Sequence, residues 1–448
     1  MRVKAAVRRG SEGGSAGNIA CGLISILVYL QLAMLGANRG YLSALAAAAD
    51  FVVALAVLIL LRPDPRFWRR TRSVWLLFGF ALLWVALPAI GLPILPGIAA
   101  AHDTRPAPDL FLLEYVKLAA TMACVVAGAL IGYKHGLMRT AGTWLILLGL
   151  AYVVFALALR QSDPMGVFGL SKGPHTWRFT GTFLNANAAG CTFAMIAILA
   201  VGGLQDALRA ARERGWNTNR LIIAGSGGIA ALLTLTATSL TASRSSLAFG
   251  VLAIAVLLLI EMWQERRWLT AKRRWATLSG GGIIAIAALG IAIFGAPTLS
   301  RLGELKGDQV RRVETWQATL TAIGDAPVYG HGLGAFESVN LARLTPANVE
   351  SMWDLRAAHN FLLQMALEGG WVLAGTMLAA ILLMAAATVR GIHAAHTTPV
   401  HRAAIAATLV AIGCASVDIA FNVPAIAAFA AVLGGMAWGR AIRPSAAY

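Results

Sequence analysis

Residues 371–390, WVLAGTMLAAILLMAAATVR, run for nineteen positions without a charged side chain and close on Arg390. A helix of about 20 apolar residues crosses the roughly 30 Å hydrocarbon of a bilayer, so this stretch alone is long enough to span a membrane. Working outward from it, about twelve apolar runs of this kind recur, at 17–36, 41–61, 73–92, 110–131, 143–159, 181–204, 221–240, 247–262, 278–296, 358–388, 403–421 and 423–440. The composition agrees. Of 448 residues 58% are hydrophobic and 13% charged, with a mean hydropathy of +0.71, which is more apolar side chain than a soluble core hides. Long uncharged runs exclude the alternation of an outer-membrane barrel, and 46 glycines suit helices that approach closely in lipid. The expected fold is an all-α polytopic membrane protein with about twelve transmembrane helices.

The 37 Lys and Arg against 20 Asp and Glu leave a net charge of +17. In a soluble chain that excess would point to nucleic acid, but here it sorts by side. With the N-terminus in the cytoplasm, 24 basic residues fall in cytoplasmic segments and 12 on the other face, with Lys117 inside a span. That asymmetry places both termini inside and makes the charge a topology signal, with no nucleic-acid partner. The first apolar run is too long for the h-region of a cleaved signal peptide and reads as an uncleaved span. Cys21, Cys124, Cys191 and Cys414 all lie within expected spans and read as packing residues. Without CxxC, HExxH or a cluster of His, Asp and Glu, neither a protein-held metal nor a cofactor is expected.

Residues 297–357 form an external segment of about 60 residues, far beyond a normal connection. The chain thus divides into helices 1–9 with short loops over 1–296, an external loop domain containing helices over 297–357, and helices 10–12 over 358–448. Within the segment, GDQVRRVETWQATLTAIGDAP reads as an amphipathic helix, with Val310, Val313, Trp316 or Gln317, Leu320 and Ile323 on its apolar arc, ended by Gly324 and Pro327. Arg312 lies beside that arc and Arg311 points away, so Arg312 is placed either to reach inward or to snorkel at the rim. GHGLG at 330–334 lacks the spacing and preceding strand of a nucleotide loop and reads as a flexible loop.

AAHNFLLQMALEGG at 357–370 puts His359 at or near the first turn of a helix. Free backbone N–H groups there attract anions and favour a neutral imidazole, which beside a phosphate can accept a proton from a hydroxyl; a capping or surface histidine is the alternative. Arg244 in TATSLTASRSSLAFG and Arg178 in TWRFTGTFLNANAAG stand close to span ends. A guanidinium near the membrane wants a partner such as phosphate, unless it simply anchors at the interface. Asn185 and Asn187 suit hydrogen bonds to sugar or phosphate, or a helix cap. Asp418, near the external end of its span, is placed to orient an arginine or to be solvated. Inside the spans stand Asp50 and also Glu114 with Lys117, which are three apart on one face and neutralise each other.

Together, VRRVETWQATLTAIGDAPVYGHGLGAF and AAHNFLLQMALEGG resemble the pattern of the O-antigen ligase and polymerase superfamily: an arginine helix, a Pro-x-x-Gly-x-Gly turn, and a histidine opening the helix after a large periplasmic loop. GTFLNANAAG and TASRSS are similar to its upstream motifs. The resemblance covers 178–370 by motif and the whole chain by topology. It implies a C-type glycosyltransferase architecture in the bacterial inner membrane, with a periplasmic active site. It also implies an undecaprenyl-diphosphate-linked O-antigen as donor and a sugar hydroxyl of the lipid A-core oligosaccharide as acceptor. On that resemblance His359 is catalytic, Arg312, Arg244 and Arg178 contact the diphosphate, and Asn185, Asn187 and Asp418 stand at or behind the substrate. Transfer would be inverting and metal-independent. An O-antigen polymerase and a protein O-oligosaccharyltransferase share the motifs. A twelve-span transporter or flippase is the competing class, against which stand the long segment after span nine and the lack of repeated halves.

Overall fold

The computed structural model describes residues 14–89, 107–265, 305–346, 348–394 and 397–444. Among the described residues, eight helices precede the long external segment: α1 Ser15–Ala33, α2 Gly40–Leu61, α3 Pro65–Ala86, α4 Pro108–Tyr133, α5 Leu137–Ser162, α6 Ala186–Arg214, α7 Thr218–Leu240 and α8 Arg244–Glu265. Within that segment lie α9 Leu305–Asp325, α10 Phe336–Leu341 and α11 Val349–Met352. The chain closes with α12 Phe361–Ala394, α13 Pro399–Val417 and α14 Pro424–Ala441. One short antiparallel hairpin, β1 Gly166–Val167 with β2 Leu170–Ser171, lies between α5 and α6.

Ten of the described helices are long and apolar enough to cross a membrane. α3 covers the expected third span, but it begins eight residues earlier, in PRFWRRTR, so its first two turns carry four arginines. The expected ninth span, 278–296, lies outside the described residues. Helix starts follow local chemistry. Asp64 accepts from the Phe67 N–H ahead of α3, Asn217 from the Arg220 N–H ahead of α7, and Thr398 from the His401 N–H ahead of α13, with proline in the first turn of α3 and α13.

α6 is the almost wholly buried centre, packed on α5, α7, α8 and α13. A second seam joins α4 to α14 through matched glycines, Gly128 and Gly132 against Gly435 and Gly439. Each sits four residues from its partner, so one face of each helix has no side chain to hold the backbones apart. All four cysteines are buried and free, as packing residues would be.

α12 is broken at Gly370, whose φ of 72° lies in the left-handed region. The break frees carbonyls that the chain 327–334 answers: the His331 N–H donates to Leu367 O at 2.8 Å and the Gly332 N–H to Glu368 O at 2.9 Å. In return the Trp371 N–H donates to Pro327 O at 2.8 Å, and Trp84 Nε1 donates to Gly369 O at 3.1 Å while its ring stacks on Tyr329. The glycine turn read as a flexible loop is therefore a backbone clamp on a helix break. The small core above it joins Ile323, Phe336 and Val339 to Ala366 and Leu367. Packing thus runs on past residue 357 into the first turns of α12.

The glycine seam makes a sharp test. A Cβ at Gly132 would collide with the Met436 carbonyl oxygen, whereas one at Gly79 on α3 meets nothing within 4 Å. Gly132→Ala should cost about 1–3 kcal/mol and lower the apparent melting temperature in detergent, and Gly79→Ala should not lower it.

Candidate functional site

α6, α9, α12 and α13 bring their polar ends to one end of the bundle. Asp418, immediately after α13, is 4% exposed and is the centre of the cluster there. Its Oδ2 accepts from Asn187 Nδ2 at 2.6 Å and lies 3.5 Å from Arg312 Nη2. Its Oδ1 accepts from the Ile419 N–H at 2.8 Å and lies 3.6 Å from His359 Nδ1. At that separation the imidazole is in electrostatic contact without a formed hydrogen bond, and His359 Nδ1 is a buried nitrogen with no hydrogen-bond partner. Burial pushes the Asp418 carboxyl up, but the His359 imidazole, the Ile419 N–H and the Arg312 guanidinium outweigh it and hold the carboxyl below its usual range.

Behind Asn187 stands Arg178, also buried. Its Nη2 donates to Asn187 Oδ1 at 2.7 Å, its Nε to Thr241 O at 2.7 Å, and its Nη1 to His175 Nδ1 at 3.3 Å. Asn185 caps α6, accepting from the N–H groups of Asn187 and Ala188 at 2.8 and 3.0 Å. Arg244 is the first residue of α8, following the tight turn 241–243 on which Arg178 rests. On the same first turn Ser246 Oγ reaches Asn187 O at 3.5 Å.

Six of the seven residues singled out in the sequence, Arg178, Asn185, Asn187, Arg312, His359 and Asp418, are thus linked contact to contact. Arg244 adjoins them through the 241–243 turn. Arg311 pairs instead with Asp354 at 3.2 Å, on the outer side of α9. The face that α9 buries differs from the expected arc: Thr315, Thr319, Ala322 and Ile323 are buried, while Val310, Val313 and Leu320 are exposed. The two threonines can line a packed face because their hydroxyls donate to the carbonyls of Arg311 and Thr315 one turn back.

His359 does not sit in the first turn of α12. It precedes the cap, in a left-handed conformation with φ of 52°, and Asn360 is the capping residue. Asn360 Oδ1 accepts from Leu362 and Leu363 N–H at 3.0 and 3.2 Å, and its Nδ2 donates to Ser416 O at 3.1 Å. The N–H groups expected to attract an anion are therefore occupied in part by the protein's own side chain. The sequence carried the signal for Asn360, an Asn just ahead of an apolar helical run. It carried none for the tie to Ser416, which joins segments 56 residues apart.

A cavity of about 900 Å³ opens beside this cluster, and His359 and Asn185 line it. Its polar part carries Glu114, Lys117, Gln364 and Glu368. Its apolar part runs along Met377, Ile381 and Met384 of α12, past Ile405 and Leu409 of α13 to Ala427 and Ala431 of α14. The Glu114–Lys117 pair closes at 2.7 Å, as its spacing suggested, yet it faces the cavity. His359 therefore stands where a charged cluster meets a long apolar slot. That arrangement suits a molecule with a polar, anionic head and an apolar tail.

Residues 229–378, about a third of the chain, match the family model described as O-antigen ligase. The matched stretch contains Arg244, Arg312 and His359, and the match supports membership of the O-antigen ligase superfamily. With ten helices among the described residues long and apolar enough to cross a membrane, the chain is a multi-pass bacterial membrane protein. Comparison with curated proteins finds no match.

Asp418 supplies a test with a defined sign. A carboxyl held lower in the folded chain stabilises the fold fully above its ordinary pKa of about 4, and loses that contribution as pH falls through the folded value. Asp418→Asn should therefore lower the melting temperature at pH 7, by an amount equivalent to about 1–3 kcal/mol. The gap from wild type should narrow below about pH 4.

Proposed function

We propose that the protein transfers O-antigen polysaccharide from undecaprenyl diphosphate to a sugar hydroxyl of the lipid A-core oligosaccharide, on the periplasmic side of the bacterial inner membrane, with both termini in the cytoplasm. The observation that carries this reading is the position of His359, between the Arg312–Asp418–Asn187 cluster and the cavity with its apolar slot. The family match over 229–378 gives it the chemistry of lipid-linked glycans, and the excess of basic residues at the helix ends opposite the site supports the sidedness.

In this mechanism Asp418 faces His359 Nδ1 and favours the tautomer that carries its proton there, which leaves Nε2 as the basic nitrogen. His359 Nε2 takes the proton of the acceptor hydroxyl as its oxygen bonds to the anomeric carbon of the donor. The bond from that carbon to the diphosphate oxygen breaks with its electron pair on the leaving group, so one displacement inverts the centre. Arg312 and Arg244 offset the charge that develops on the diphosphate. Arg178, whose donors are engaged by Asn187 and Thr241, adds its charge to the field and holds Asn187 toward Asp418. The activated bond is already in the donor, so the step uses no nucleotide, and the guanidinium groups take the place of a divalent cation.

The test is transfer by purified protein in proteoliposomes loaded with undecaprenyl-diphosphate-linked glycan and rough lipopolysaccharide, without nucleotide and with a chelator present. A ladder of capped lipopolysaccharide is expected. His359→Ala should abolish it while donor binding persists, and Arg312→Lys should reduce transfer by at least about tenfold, since an ammonium lacks the bidentate fork. Growth of the glycan on its own carrier would mean a polymerase, and capping of a protein acceptor a protein O-oligosaccharyltransferase. Movement of donor without any transfer would mean a transporter.

A further inference from the structure

We infer that Gln364 is a positioning residue for His359, and that Glu368, held by the glycine turn, anchors the Gln364 amide. This rests on the reading of His359 as the base. The backbone N–H of Ala358, the fully buried residue before His359, donates to Gln364 Oε1 at 2.8 Å. Gln364 Nε2 in turn donates to Glu368 Oε1 at 2.6 Å. The Gly332 N–H of the glycine turn donates to the Glu368 backbone carbonyl at 2.9 Å.

Every link in this chain runs from donor to acceptor. A backbone N–H only donates, so Ala358 selects the oxygen of Gln364, and the amide NH₂ is thereby turned toward Glu368, which accepts it. An amide facing the other way would set its NH₂ against the Ala358 N–H and its oxygen against Glu368. The tether acts on strained backbone. His359, a residue with a Cβ, is held at φ of 52°, a conformation that persists only where the surroundings impose it. Gln364 grips the chain on one side of His359, and Asn360, tied to Ser416, grips it on the other. The turn 327–334, clamped on the break of α12, thus acts on the imidazole through Gly332, Glu368 and Gln364. Both Gln364 and Glu368 also line the cavity that His359 overlooks.

The pattern can be broken and rebuilt by exchanging the two side chains. In Gln364→Glu two carboxylates face each other. In the double variant Gln364→Glu with Glu368→Gln, the carboxylate now at position 364 accepts from Ala358 and from the amide introduced one turn later. The order of donors and acceptors from Ala358 through the two side chains returns. Two readouts apply: kcat and KM for transfer, and the rate at which diethyl pyrocarbonate modifies His359 in purified full-length protein, followed by peptide mass spectrometry.

Gln364→Ala and Gln364→Glu should lower kcat on the order of 10²-fold with little change in KM, as expected when a reacting group is misplaced by about an ångström. Both should change the modification rate of His359 by several-fold, and the double variant should return both quantities toward wild type. A modification rate unaltered in Gln364→Ala, or a double variant no nearer wild type than Gln364→Glu, would overturn the inference. If wild-type protein transfers no glycan, the proposed function fails, while the modification rates still decide whether Gln364 positions His359.

Discussion

A carboxylate removed from water must be answered by cations and donors, and Asp418 draws them from three distant parts of the chain. Asn187 comes from the first turn of α6, Arg312 from α9, and His359 from the segment ahead of α12. None of these elements neighbours another in sequence, so the buried charge at the end of α13 sets the relative height of all three. Removing one partner of such a group costs far more than the pair contributes over an apolar substitute, so the cluster specifies an arrangement more than it adds stability. The Asn360 bond to Ser416 O reinforces the same junction from the backbone side, two residues before Asp418.

Much of this was legible from the chain. The membrane class followed from uncharged runs such as 371–390, because length and hydropathy are local properties. Arg312 was separable from Arg311 by helical angle alone, and the structure gives the two different partners, Asp418 and Asp354. The face that α9 buries was less legible. Threonine counts as polar in a pattern, but its hydroxyl can be satisfied within its own helix, so Thr315 and Thr319 line the packed side while Val310 and Val313 do not. His359 was expected at or near the first turn, and it lies just ahead of the cap. The identity of the residue beside it, Asn360, decides that boundary. Long-range ties such as Asn187 to Asp418 leave no trace in spacing.

The glycine turn shows why a motif can be recognised and still be misread. As a string, GHGLG says only that φ is free. Its role appears once the break at Gly370 is seen to release carbonyls that the turn's N–H groups satisfy. The non-helical backbone within α12 is tolerable because protein lies against it. The break also lets the upper turns of α12 pack with α9 and α10 in a core of their own, while the lower part lines the slot with Met377, Ile381 and Met384.

The buried, unbridged state of Cys21, Cys124, Cys191 and Cys414 has a practical consequence. A membrane-impermeant maleimide finds little to react with on the native chain. Single cysteines placed in the hairpin at 166–171 or in the connection at 214–218 would then report which face of the membrane each occupies, against a background that the packing of the helices has already silenced.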